Sequence, residues 1–306
     1  PGGKFVLIVD EADAMFRTRD RHQVFEQALQ QLLDLNPSMT VMISATSVPF
    51  MLELVHGMDS SEEDIEFFNL EPQDNYVGIE DIKILKINGK KVYLDQNELN
   101  NRSEYTSDDV TICYANEKVI ALYEDALSDL QNRKGVLVLD CSCPRVYVTN
   151  NIKDKANAVQ KLYRKRSIQI IVITFSGSGI AVKYPKKIVP VVESKQLGEW
   201  KSWHNSLIGT LLEDIDEKYG LHIPVFIFAY TKMCRGISFR STKRIPTHML
   251  MALGRGHNSS TIVQTLGRAT FNGRNMQKEN GFDCVRVLTT SSDYEMCVKT
   301  QNYINT

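Results

Sequence analysis

Phe5-Val6-Leu7-Ile8-Val9 is an unbroken apolar run that stops at Asp10-Glu11-Ala12-Asp13. Continuous apolarity, as opposed to alternation, predicts a strand buried on both faces, the situation of a parallel sheet between helices. The next stretch fits that expectation. From about Arg21 to Leu35 the chain reads as an amphipathic helix, with Val24, Ala28 and Leu32 on one ridge and Phe25, Leu29 and Leu33 on the next. Asn36-Pro37-Ser38 stops it, and Thr40-Val41-Met42-Ile43 forms a second short buried strand that ends at Ser44-Ala45-Thr46. Strand, helix, strand is the repeating unit of a parallel α/β fold.

The same alternation returns further on. Helices are predicted over Asn116 to Asn132, Asp154 to Arg166, around Leu207 to Ile215, and from Ser259 through Leu266, Gly267 and Arg268. Strands are predicted over Val136 to Leu139, Ile168 to Thr174, Val225 to Ala229 and Val285 to Leu288. Ser292 with Glu295 reads as a capping box for a last helix. Between the halves, Met58 to Asn75 is an acidic, irregular loop, and Ile82 to Leu94 reads as a hairpin about Asn88-Gly89. Gln96 to Asp109 is crowded with polar residues and reads as a linker, so two domains are expected, 1–109 and 110–306. Gly267 inside a helix costs about 1 kcal/mol relative to Ala, which predicts a compensation such as close packing against another backbone.

Composition limits the partners. The 306 residues carry a formal net charge of −1, so any affinity for a polyanion must come from a local patch. No apolar run approaches the length of a membrane span and no signal peptide is visible, so a soluble intracellular chain without a membrane partner is expected. The six cysteines are scattered; Cys141 and Cys143 are close, but no second pair matches them for zinc, and reduced thiols are expected. Pro1-Gly2-Gly3 leads straight into a core strand, which reads as a piece of a longer polypeptide with a further segment upstream.

Several residues are placed for chemistry. In an open α/β sheet the reactive edge lies beyond the carboxyl ends of the strands, where Asp10 and Glu11 stand. One carboxylate can hold Mg²⁺ and its neighbour can orient an attacking water; both would equally suit the positive end of the following helix. Ser44 and Thr46 suit helix capping. Ser176-Gly177-Ser178-Gly179 is either a phosphate-approaching turn or a plain one. Arg235 and Gly236 follow the strand at Val225 to Ala229, as an anion contact or an ordinary turn. Gln264 and Arg268, four apart, would share one helix face, suited to an anion or to solvent. Lys161, Arg164, Lys165, Arg166, Lys183, Lys186 and Lys187 are either phosphate contacts or a solvated face.

Together these stretches resemble superfamily 2 helicases. Asp10-Glu11-Ala12-Asp13 resembles their Walker B motif, and Ser44-Ala45-Thr46, about thirty residues on, their Ser-Ala-Thr coupling motif. Cys234-Arg235-Gly236-Ile237-Ser238 resembles the fifth motif, and Gln264-Thr265-Leu266-Gly267-Arg268 the sixth. The last two are similar to those of strawberry-notch-type and related DNA-dependent helicase-like ATPases. The resemblance implies two RecA-like parallel-sheet domains, the first truncated at its N-terminus, with ATP and Mg²⁺ between them. It implies Asp10 on the metal, Glu11 on the water, and Gln264 and Gly236 at the nucleotide. Asp13 would pair with Ser44, Thr46 or Gln264 to couple hydrolysis to closure. Thr231 and Ser178 would touch a nucleic-acid backbone, DNA in preference to RNA. Arg268 would contact the γ-phosphate. The family's usual second arginine falls at Phe271, so Arg274 is the auxiliary candidate. No Gly-x-x-x-x-Gly-Lys-[Ser/Thr] loop occurs in the chain. The alternative expectation is a nucleic-acid-binding module that has kept the fold without ATP use.

Overall fold

A computed structural model of the chain describes residues 5–9, 31–32, 34–35, 37–43, 73–95, 98–99, 103–142, 148–186, 198–204, 207–229, 237–253 and 259–304. The residues group into two compact units, Pro1–Glu71 with Thr300–Thr306, and Pro72–Lys299. In the first, β1 (Val6–Val9) and β2 (Met39–Met42) pair in parallel, Val6 opposite Met39 through Val9 opposite Met42, as the strand–helix–strand pattern predicts. Val6 and Ile8 are 51% and 63% exposed, so β1 is not covered on both faces as its continuous apolarity suggested. The start of the helix expected over Arg21 to Leu35 and all but the last three residues of the acidic loop expected over Met58 to Asn75 lie outside the described residues.

The second unit contains β3 (Tyr76–Val77), β4 (Lys83–Ile84), β5 (Lys86–Ile87), β6 (Lys90–Lys91), β7 (Glu104–Ser107) and β8 (Val110–Cys113). It continues with α1 (Glu117–Leu127), β9 (Leu137–Cys141), α2 (Val148–Lys165), β10 (Ile171–Ser176), β11 (Gly179–Lys183) and β12 (Trp200–Trp203). Then follow α3 (Ile208–Tyr219), β13 (Val225–Ala229), β14 (His248–Met251), α4 (Ser259–Leu266), β15 (Phe271–Asn272), α5 (Arg274–Glu279), β16 (Arg286–Leu288) and α6 (Ser291–Ile304), whose residues from Thr300 on are grouped with the first unit. Among the described residues the main sheet has eight strands in the order β12-β11-β10-β13-β9-β14-β16-β4. It is parallel from β10 to β4 and antiparallel only at β11 and β12. The fold class is therefore α/β with a large, mostly parallel sheet.

Both faces are covered, which explains the continuous apolar strands. Leu137, Leu139 and Cys141 of β9 pack on one side with α3 and α4; Val138 packs on the other with α1, α2 and β8. Asn116 accepts from the Val119 amide at 3.0 Å and starts α1, and the left-handed Asp129 (φ 58°) closes the turn after it. The helix is thus shorter than its apolar pattern suggested.

The hairpin about Asn88-Gly89 forms, with both turn residues at positive φ (51° and 77°) and Lys86 opposite Lys91. The polar stretch expected to be a linker is instead structured at its end. Glu104–Ser107 pairs with Val110–Cys113 across Asp108-Asp109, both left-handed (φ 52° and 54°). Aspartate tolerates that conformation, so polarity here marked a turn. Both this hairpin and the one about Asn88-Gly89 belong to the second compact unit. The final helix is capped by Thr290, whose hydroxyl accepts from the Asp293 amide at 3.1 Å, two residues before the expected Ser292.

β14 was not anticipated, because His248 interrupts its apolar run. The ring is buried, with Nε2 2.9 Å from Asp125 and Nδ1 3.0 Å from Thr247, and Phe282 meets it edge-on. Burial is the chief cause holding the His248 pKa below its ordinary 6.5; the Asp125 hydrogen bond opposes this, and Arg286 and Arg133 reinforce it. The folded protein therefore lacks a proton that the unfolded chain takes up. The stability from this site is complete above pH 6.5 and is lost as the pH falls below it. Urea unfolding between about pH 7 and pH 5 should show this slope, and His248→Gln should flatten it.

The chain returns from β13 to β14 through residues 237–247, held by a buried ion pair. Arg244 Nε donates to Asp216 at 2.8 Å, and its Nη1 donates to the Val136 and Ile223 carbonyls at 2.8 and 3.1 Å. Ser241 donates to the other Asp216 oxygen at 2.6 Å. Arg244→Met alone leaves Asp216 buried without its counter-charge, and urea titration should show a loss of about 3–5 kcal/mol. The double variant Arg244→Met/Asp216→Leu should recover much of that loss.

Candidate functional site

A cavity of about 310 Å³ lies on the α3–α4 face of the sheet. Its walls come from two stretches distant in sequence: Ile237, Ser238, Phe239, Arg240 and Pro246, and Gly267, Arg268, Thr270 and Phe271. The first follows β13 and is pinned below by Arg244. The second follows α4. Arg268 joins them, its Nη1 donating to the Ile237 carbonyl at 3.0 Å. Arg240 reaches across in turn, to the Asn272 carbonyl at 3.4 Å. Two guanidinium groups with the Ser238 hydroxyl make a lining suited to an anion, while the Thr270 hydroxyl donates to the Gly267 carbonyl at 2.8 Å.

The geometry around Gly267 differs from the sequence expectation. α4 ends at Leu266 and Gly267–Ala269 is a 3₁₀ turn, so the four-residue spacing of Gln264 and Arg268 does not run along one α-helix. A Cβ on Gly267 would meet nothing within 4 Å, so no backbone packs closely there. The glycine leaves the cavity wall bare.

Arg274, the auxiliary candidate, is not among the residues that line the cavity. It is the first residue of α5, and its guanidinium grips Asp81 at 2.9 and 2.6 Å and the Tyr76 carbonyl at 2.6 Å. Phe271 and Asn272 pair with Val77 and Tyr76, and the Gly273 and Arg274 amides both donate to the Asn75 carbonyl. The segment 73–82 is thereby strapped beside the cavity wall. The Arg274 hydrogen bonds hold the Asp81 pKa below the ordinary carboxylate value, and Asp81 raises that of Arg274.

Ser178 sits exposed in the tight turn between β10 and β11, with its hydroxyl 2.8 Å from that of Ser176. The glycine-serine stretch is thus a hairpin turn. Asp10, Glu11, Asp13, Ser44, Thr46, Thr231 and Gly236 lie outside the described residues. Of the expected site residues, the structure therefore places Gln264, Arg268, Arg274 and Ser178, and it sets Arg268 in the cavity.

A polar cluster that the sequence reading did not single out stands at the carboxyl end of β9. From β9 the chain leaves through α2 to β10 on one side, whereas its neighbour β14 leads on to β16 on the other, so the connections diverge here, at a switch point of the sheet. Asp140 accepts from Lys155 at 2.8 Å, from the Ser142 hydroxyl at 2.6 Å and from Tyr123. Lys155 also donates to Ser142 at 2.6 Å and to the Tyr114 carbonyl at 3.0 Å. Asp140 and Lys155 are buried and satisfy one another, so the cluster locks α2 and the β8–α1 connection to the strand end. An acid closing an apolar run was the available signal, the same one that marks Asp10.

Among the described residues no group of three or more His, Cys, Asp or Glu side chains is arranged to hold a metal, and no helix is long and apolar enough to cross a membrane. No family model matches the chain, and no curated protein or solved structure is significantly similar to it.

The Arg274–Asp81 pair is partly exposed, with side chains 34% and 24% accessible. A double-mutant cycle on Arg274→Ala and Asp81→Ala should give a coupling of about 1 kcal/mol, above the exposed-pair average because the contact is bidentate. Because Asp81 is depressed below 3.8, that coupling is present above this pH and lost as the pH falls through the folded value.

Proposed function

We propose that the chain is the downstream portion of an ATP-dependent nucleic-acid helicase or translocase of the superfamily 2 type, built from two RecA-like domains. The observation that carries this reading is the Arg268–Ile237 hydrogen bond across the cavity. It ties together the two stretches that resemble the fifth and sixth helicase motifs, and it puts an arginine where an anion fits.

In this reading Asp10 holds Mg²⁺ and Glu11 orients the attacking water. Asp13, Ser44, Thr46 and Gln264 couple the site to domain closure. Gly236 lets the backbone approach the nucleotide. Thr231 and Ser178 contact the nucleic-acid backbone, DNA in preference to RNA. Bound ATP with Mg²⁺ supplies the transferable γ-phosphoryl group, whose developing charge a positioned arginine stabilises. Arg268 takes that role. Arg274 is its auxiliary, and would have to leave Asp81 to act. The commitment of Arg274 to Asp81 is the feature that favours the second reading, a binding module without turnover.

Activity is measured in a longer protein that includes a phosphate-binding loop upstream, since residues 1–306 carry none and should bind ATP poorly alone. Glu11→Gln should keep nucleotide binding and lower turnover by orders of magnitude. Turnover within about twofold of the parent removes Glu11 from the catalytic role. Arg268→Ala should lower turnover far more than affinity, the mark of an interaction made in the transition state. Wild-type turnover in Arg268→Ala and Arg274→Ala alike would remove both arginines from the catalytic role, whereas no turnover in the parent would favour the binding module.

A further inference from the structure

Away from the cavity, β12 is the outer strand of the main sheet, hydrogen-bonded to β11 alone among the described residues. Trp200, its first residue, is half-buried and stands opposite Lys183 in the antiparallel register. Two ammonium groups crowd its ring. Lys183 Nζ lies 5.8 Å from the ring centre and Lys153 Nζ, from α2, 5.7 Å. Lys183 also donates to Asn157 Oδ1 at 2.7 Å. Burial lowers the Lys183 pKa; Glu199 counters this, while Arg164 and Lys186 add to it.

Along α2, Lys153, Asn157, Lys161 and Arg164 follow at spacings of four, four and three, which places them in one stripe. Lys161 and Arg164 are exposed. The neighbouring cations behave differently. Arg166 is bound to Asp108 and Glu124 at 2.9 and 2.8 Å, and Lys165 to Asp109 at 3.5 Å, so they fasten the β7–β8 hairpin. Among the described residues none of Lys153, Lys161, Arg164 and Lys183 forms an ion pair. A run of cations that form no ion pair among the described residues, beside an aromatic ring, suits a chain with regularly spaced negative charges and flat groups between them. A folded acidic protein would supply the charge without the stacking partner.

We propose that this edge is a second binding surface for single-stranded nucleic acid, on which the α2 stripe follows the phosphates and Trp200 stacks against a base. It shares with the reading above only the nature of the ligand and does not depend on ATP turnover. The chain has two tryptophans, so Trp203→Phe leaves Trp200 as the single reporter. Titrating that variant with oligothymidylate should quench its emission, with an affinity that falls as salt rises. Reversing Lys153, Lys161 and Arg164 to Glu together, on a helix face that circular dichroism should show still folded, should weaken binding at least about tenfold. It should also reduce the salt slope by about 2, as expected for three lost single-strand phosphate contacts.

Unchanged affinity in the triple variant, or unmoved Trp200 emission at saturation, overturns the proposal. So does equal competition by poly-glutamate, which carries charge without bases. In the longer protein, the triple variant should keep the parent's ATPase measured without nucleic acid and lose stimulation at low oligonucleotide concentration. A parent with no ATPase at all would end the helicase reading while leaving the oligothymidylate result to decide this one.

Discussion

The buried Arg244–Asp216 pair is the contact on which the arrangement of the second unit most depends. Each parallel connection must carry the chain from the carboxyl end of one strand to the amino end of another. Most do so with a helix that satisfies its own backbone groups. The described part of the return from β13 to β14, residues 237–247, forms no helix. Arg244 replaces the missing internal bonds, spreading its donors over Asp216 and the carbonyls of Val136, Ile223 and Gly220. Burial works against its charge, and Asp216 compensates. Such a group contributes to stability only when fully partnered, so it also determines where the connection runs. Arg240 and Pro246, on either side of it, form one wall of the cavity.

The opposite wall has its own fastening. The strap 73–82 pairs with Phe271-Asn272 and holds Arg274 through Asp81, and β4 then adds the last strand beside β16. The cavity is therefore bounded by two irregular segments, each fixed by one arginine–aspartate pair, with Arg268 bridging them at the Ile237 carbonyl. One pair is buried and the other accessible. The buried one belongs to the permanent framework, while the accessible one can exchange partners at modest cost.

The basic residues around α2 show why charge in a sequence does not state its use. Lys165 and Arg166 looked the same as Lys161 and Arg164, yet the first two neutralise the Asp108-Asp109 turn and the others stand open. Their fates separate because α2 meets the β7–β8 hairpin at its last turn. Lys155 is a further case, a lysine on an amphipathic helix that turns inward because Asp140 awaits it.

By itself the sequence determined the α/β class, most of the buried strands and the inward faces of α1 and α2, because apolar continuity and helical periodicity are local properties of the chain. It also determined the Asn88-Gly89 turn, since positive φ favours those residues wherever they stand. What it did not determine was where polar residues went. Asp140, Arg244 and His248 sit in the interior because partners more than ten residues away neutralise or hydrogen-bond them, and local pattern carries no record of such partners. For the same reason β14 was missed and Gln96 to Asp109 was read as a linker. Only the tertiary structure decided that Arg268 lines a cavity with Ile237. That contact joins two segments some thirty residues apart, and it exists because Arg244 brings the first of them back beneath the second.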